Sequence, residues 1–197
     1  MIQTSADPPS FISLSHVLGR GNERICWAHP FDSAVCVKTV RPGVKGRGQN
    51  DLDLHYYQVL QARGIGGPRI PAVLGWVDTD QGRGLLVERV SGPDGASPVS
   101  VAKALQEGRL SPDQARKLID EAFAWFVARA VVVSDSNPEH LVLRQDGVGK
   151  DILAVVDGLG GRHLDLRYRL RNWVPWYAKR KSRKTWRELL RMAFPAQ

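Results

Sequence analysis

Asp135 and Asp157 are the residues of this chain most suited by type and setting to do chemistry. Each closes an apolar run, 130–133 and 152–156, and each is followed by turn formers: Ser-Asn-Pro-Glu-His at 136–140 and Gly-Leu-Gly-Gly at 158–161. A carboxylate at the exit of a buried strand is held still at the rim of a core. One such group can orient or deprotonate a hydroxyl nucleophile. A second, 22 residues further on, can hold a hard cation such as Mg²⁺, which takes oxygen ligands. Upstream stand Gly19-Arg20-Gly21 and Lys38. Glycines in a turn between strands let backbone N–H groups approach phosphates. A lysine pointing inward from a strand needs an anion beside it, because an unpaired buried charge is costly.

Protein kinases place a glycine loop, a strand lysine and two working aspartates in this order. Asp135-Ser136-Asn137-Pro138-Glu139-His140 matches the kinase run Asp-Leu-Lys-Pro-Glu-Asn at Asp, Pro and Glu, with Asn137 in place of Lys and His140 in place of the metal-binding Asn. On this reading Asp135 and Lys38 are the catalytic candidates. Gly19, Gly21, Arg24, Lys38, Asp53 and Glu88 are the nucleotide contacts, and Asp157 with His140 is the metal pair; the cofactors are ATP and Mg²⁺. Arg24 stands where the third loop glycine would be and can meet a phosphate through its fork. Asp53, or else Asp51, supplies the helix carboxylate that pairs with Lys38, one methylene shorter than the kinase Glu. Gly158 stands where kinases carry Phe. Each piece also has a plainer reading: a hairpin turn at Gly19–Gly21, a strand lysine, a first-turn Asp favouring the helix dipole, and two turn aspartates.

The elements that must position these groups follow from the pattern. Residues 1–11 read as a loose leader. Val17-Leu18 and 25–27 read as short strands around the glycine turn, and 34–40, rich in β-branched residues, as a third. Asn50 is predicted to cap a helix running to about Arg63, with Gly64 as its stop. Residues 72–77 and 84–90 form a predicted hairpin, and the Gly/Pro/Ser-rich stretch 91–98 a linker. Ser111-Pro112-Asp113-Gln114 is a capping box, after which Ala115, Leu118, Ile119, Ala122, Trp125 and Phe126 line one helical face. The tail from Leu164 is predicted to be helical in pieces, broken at Pro175. The implied fold class is α+β, a small two-lobed protein-kinase-like fold. Its N-lobe, 12–90, is a five-stranded antiparallel sheet with one helix; 91–100 is the hinge; 101–197 is a reduced, mainly helical C-lobe.

With 197 residues the chain makes one domain or two small lobes. It has no apolar run long enough to span a membrane and no signal-peptide pattern, so the expected address is the cytoplasm. Cys26 and Cys36 are then expected to be reduced thiols. The net charge of +8 is local: residues 162–191 hold 11 Lys/Arg and 2 acids, a net of +9, while the rest of the chain sums to −1. Trp173, Trp176, Tyr177 and Trp186 are interleaved with that basic run. It therefore suggests an anionic partner: nucleic acid, lipid head groups or an acidic protein. The plain alternative is helices with tryptophans inward and arginines outward.

Leu-Gly-x-Gly at 18–21, Cys-Trp-Ala-His-Pro at 26–30, Cys-Val-Lys at 36–38, Leu-His-Tyr-Tyr at 54–57, Ile-Pro at 70–71 and Val-Val-Asp at 155–157 together resemble the YrbL family of bacterial "PhoP regulatory network" proteins. The resemblance runs from about Ser13 to Phe194. It implies a divergent branch of the protein-kinase-like superfamily, and within it Lys38, Asp135 and Asp157 carry the superfamily's roles. Only 40 residues follow Asp157, a lobe suited to a small-molecule kinase or to a nucleotide-binding pseudokinase serving a regulatory partner.

Overall fold

The computed structural model describes residues 11–46, 48–92, 98–161, 168 and 174–194. It is a mixed α+β arrangement. A six-stranded sheet is built from β1 (Phe11–Ile12), β2 (Val17–Arg20), β3 (Arg24–Ala28), β4 (Val35–Val40), β5 (Val73–Thr79) and β6 (Gly84–Glu88), in the order β1-β5-β6-β4-β3-β2. All neighbours are antiparallel except β1 and β5, which run parallel. β7 (Leu141–Gln145) and β8 (Asp151–Val155) form a separate antiparallel hairpin. Four helices are described: α1 (Gln49–Ala62), α2 (Val101–Gln106), α3 (Pro112–Ala128) and α4 (Pro175–Ala193).

Several expectations need correction. Phe11 is not part of a leader: Phe11 and Ile12 pair with Asp78 and Thr79 as a sixth strand. The driving force is burial, since Ile12 and Leu14 join Ile25, Trp27, Val37 and Val77 on the outer face of the sheet. α1 is not capped by Asn50. Gly48, in the left-handed region at φ 70°, holds the cap position, and Asn50 turns inward and is buried. α2 was not foreseen; its cap Ser100 accepts from Lys103 N at 3.2 Å. The break expected at Pro175 falls there: Val174 is not helical and Pro175 begins the last helix, at a position where a missing N–H costs no hydrogen bond. Glycine 64 does end α1. At φ 66° it lets Ile65 N reach Leu60 O and its own N reach Gln61 O, the paired bonds of a Schellman stop. The capping box of α3 forms as expected: Ser111 Oγ accepts from Gln114 N, and Gln114 Oε1 accepts from Ser111 N. The linker centre, 93–97, and the tail segments 162–167 and 169–173, with Trp173, lie outside the described residues.

The main core joins α1, α3, α4 and the β7–β8 hairpin. Leu52, Tyr56 and Leu60 meet Ile119, Phe123 and Phe126 there, with Leu153 and Val155 beneath. Val131–Val133, the run that leads to Asp135, is fully packed within it. The strand that leads to Asp157 lies in the same core, so both carboxylates emerge from it.

Candidate functional site

Residues opposite each other in an antiparallel pair share a face, and the face alternates along each strand. Arg24 is paired with Val40 and Cys26 with Lys38, so Arg24, Cys26, Cys36 and Lys38 all point to one side of the sheet. α1 lies on that side, with Asn50 and Asp53 one turn apart. Arg24 reaches into the gap. One terminal nitrogen lies 2.6 Å from Asp53 Oδ2 and 3.2 Å from Asn50 Oδ1; the other lies 2.8 Å from Asp157 Oδ1. Asn50 Nδ2 in turn donates to Lys38 O at 2.8 Å. Lys38 Nζ donates to Val156 O at 3.0 Å and stands 3.9 Å from Asp53 Oδ2. Of the two helix carboxylates considered, Asp53 faces the lysine and Asp51 is exposed.

The electrostatics follow from this packing. Burial opposes the Arg24 charge, but Asp53 and Asp157 outweigh it and raise the guanidinium pKa. Burial would likewise raise the Asp157 pKa. The charges of Arg24, Lys38 and His140 and the N–H of Gly158 reverse that, and the carboxyl is held below its ordinary value. Asp157 therefore stays ionised at neutral pH.

The two aspartate segments are fastened to each other. Val133 and Leu159 form an antiparallel bridge, Gly158 O accepts from both Ser134 N and Ser134 Oγ at 2.8 Å, and Gly160 N donates to Val132 O at 2.9 Å. Tyr56 OH accepts from Val132 N, tying α1 to the same seam. This explains the glycine at 158. Its φ is +82°, and a Cβ there would sit 2.3 Å from the Asp135 Cβ. Gly160, at φ +77°, presses on the Tyr56 ring in the same way.

Asp135 Oδ1 accepts from Asn137 N at 2.9 Å, and Oδ2 lies 3.2 Å from His140 Nδ1. The latter contact is off the hydrogen-bond line, so it is chiefly ionic. Contact with Asp135 raises the His140 pKa, burial opposes the rise, and the Asp157 charge adds to it. His140 faces Asp135 and is near enough to Asp157 for the two charges to act on each other. Among the described residues no three His, Cys, Asp or Glu side chains gather to hold a metal ion. Asn137 caps its own turn, accepting from Glu139 N at 3.0 Å, and Glu139 accepts from Ser100 Oγ.

The remaining candidates sit as follows. Gly19 lies opposite Cys26 beyond a bulge in β2; Gly21 N donates to Arg24 O at 2.8 Å and closes the turn. Arg41 donates to the carbonyls of Gly21 and Asn22 from outside. Arg24, expected to meet a phosphate, is engaged by Asp53 and Asp157 instead. The carboxylate of Glu88 is also engaged, by Arg144 at 2.5 Å and by Ala72 N at 3.0 Å. A cleft of about 440 Å³, including its open mouth, is lined by Lys38, Asp53, Tyr57, Val73, Val87 and Asp157. Asn50, Tyr56 and Ser134 complete the site and were not among the sequence candidates. Asn50 was hidden by its fit to a helix cap, and nothing in the sequence marks the other two.

Comparison with known proteins agrees with the residue pattern. The family described as PhoP regulatory network protein YrbL matches residues 12–193. The chain is 27% identical over 176 residues to a protein named "Uncharacterized protein YrbL" from Escherichia coli (strain K12), and equally to its namesake from Shigella flexneri. In both cases the match covers 88% of this chain and 82% of the relative.

Proposed function

This chain belongs to the PhoP regulatory network protein YrbL family, and from that premise we propose that it is a kinase-like nucleotide-binding protein that transfers phosphate from ATP to a hydroxyl acceptor. The strand order supports the reading. β2-β3-β4-β6-β5 is an antiparallel sheet with one helix inserted between β4 and β5, and a hairpin separates the two aspartates downstream. The observation that carries it is the clamp on residues 156–158. Lys38 holds the carbonyl of Val156 from one side, and Ser134, next to Asp135, holds that of Gly158 from the other. Lys38, Asp53 and Asp157 line one cleft, and Asp135 packs against Gly158 beside it.

In this reading Lys38 neutralises nucleotide phosphates, and Asp53 keeps the lysine extended. Asp135 orients the acceptor hydroxyl and draws its proton. The turn Gly19–Gly21 covers the phosphates with backbone N–H groups. Asp157 fits Mg²⁺, being ionised and partly exposed; the ion, shared with phosphate oxygens, would supply charge neutralisation. The imidazole of His140 suits Mg²⁺ poorly and is turned to Asp135. Positioning and electrostatics would supply most of the rate, as is general for phosphoryl transfer.

Calorimetric titration with a non-hydrolysable ATP analogue, with and without Mg²⁺, tests the reading. Binding that strengthens with Mg²⁺ and weakens in Asp157→Asn is expected; absence of binding overturns it. A second reading has its own support: Arg24 already neutralises Asp157 at 2.8 Å, and Asn137 gives the phosphates no positive charge. The chain would then bind nucleotide without transfer and act as a regulatory module in a PhoP-type network. ADP release that Asp135→Ala abolishes excludes this alternative.

A further inference from the structure

α4 has two unlike faces. Ala178, Ser182, Thr185 and Leu189 are buried, at the i, i+4, i+7, i+11 spacing of one helical face. Trp186 stacks on Phe123, with ring centroids 5.7 Å apart, and donates from Nε1 to Asp120 Oδ1 at 3.1 Å. α3 therefore covers the apolar face. Trp176, Arg180, Arg183, Lys184, Arg187 and Arg191 are all exposed, and their spacing places them on a single stripe of the opposite face.

The stripe sets five cations along roughly 17 Å of helix, at about 1.5 Å per residue. The helix has seven Lys/Arg against one acid, Glu188, which lies 3.7 Å from Lys184. At its N-terminal end Trp176 is 61% exposed, beside the half-exposed Tyr177. Arg180 rests over the Trp176 ring, 5.6 Å from its centroid. Four of the five cations are arginines, whose planar fork suits paired phosphate oxygens.

We propose that the exposed face of α4 binds the phosphate backbone of single-stranded nucleic acid, with Trp176 stacking on a base. A helix lying on a membrane must turn an apolar face to the acyl chains, and here α3 holds that face. A paired base in a duplex offers no open ring to stack on, whereas a single strand does. The proposal is independent of the nucleotide cleft.

Fluorescence anisotropy with a labelled oligodeoxythymidylate and the full chain tests it. Five phosphate contacts predict log K falling with log salt at a slope of about −3.5, or roughly a hundredfold loss between about 50 and 200 mM salt. Arg183→Gln with Arg187→Gln is expected to reduce that slope by about 1.4. Trp176→Ala is expected to weaken binding about tenfold at every salt concentration. All three positions are exposed, so thermal midpoints and binding of the ATP analogue should not change, which separates this result from the fate of the cleft. Three results would overturn the proposal: no binding at low salt, binding indifferent to the arginine changes, or binding of phosphatidylglycerol vesicles in place of the oligonucleotide.

Discussion

Arg24 and Asp157 are 133 positions apart in sequence and 2.8 Å apart in space. The arginine comes from β3, the aspartate from the loop after β8, and Asp53 of α1 joins them at 2.6 Å. One guanidinium thus links three elements across the candidate site.

Removing that cation should be costly, because two carboxylates would be left close together with only Lys38, 3.9 Å from Asp53, and the more distant His140 to offset them. Deleting one partner of a buried pair typically costs 3–5 kcal/mol. Asp157 is partly exposed, which screens its share, so Arg24→Met is expected to lose about 2–3 kcal/mol in urea unfolding. The double change Arg24→Met with Asp53→Asn should recover part of the loss. Additive losses would show that the two residues do not act together.

Gly158→Ala should damage both stability and the site. A Cβ at φ +82° is strained by about 1–2 kcal/mol before any clash, and here it also meets the Asp135 Cβ at 2.3 Å. A loss of more than 2 kcal/mol and weaker nucleotide binding are expected. Gly147→Ala is the control: its site is open and the change should stay within about 0.5 kcal/mol.

His140 should make stability depend on pH. Its folded pKa is raised above the ordinary value near 6.5 by the Asp135 carboxylate. The charged form is favoured in the folded state, so its stabilising effect is complete below pH 6.5 and is lost as pH rises through the folded pKa. The thermal midpoint of the parent protein should exceed that of His140→Gln at pH 6, and the gap should close toward pH 8.5. A gap that widens with pH would contradict the pairing.

Cys26 should be the reactive thiol. A hydrogen bond from Cys36, opposed by burial and aided by Lys38 and Arg24, lowers its pKa, while that same hydrogen bond, burial and the neighbouring thiolate push Cys36 up. Iodoacetamide followed by peptide mass mapping should mark Cys26 with a midpoint below that of an ordinary thiol and leave Cys36 unmodified. In Cys36→Ala the midpoint should move upward; an unchanged midpoint would remove the hydrogen bond as its cause.

Short-range patterns were readable without the structure. The capping box at Ser111, the stop at Gly64 and the β-branched run of β4 each depend on a few consecutive residues, and the structure reproduces them. The order glycine turn, lysine, Asp135, Asp157 was likewise visible, because each group sits in or beside an apolar run that local composition marks. Interactions between distant segments were not readable. Arg24 matched a loop position and was expected to meet a phosphate, yet Asp53 and Asp157 surround it. Asn50 has the chemistry of a cap, but Gly48 alone could adopt the left-handed turn, and Asn50 was left to bridge Arg24 and Lys38. Gly158 looked like a missing Phe until the backbone of Asp135 was found against it. In the tail, the sequence mixed tryptophans with cations, and helix packing alone sorted Trp186 inward and Trp176 outward. The cause is common to all four cases: local propensity acts through a few neighbouring residues, whereas ion pairs, close backbone approach and burial are settled only when segments far apart in the chain compete for the same space.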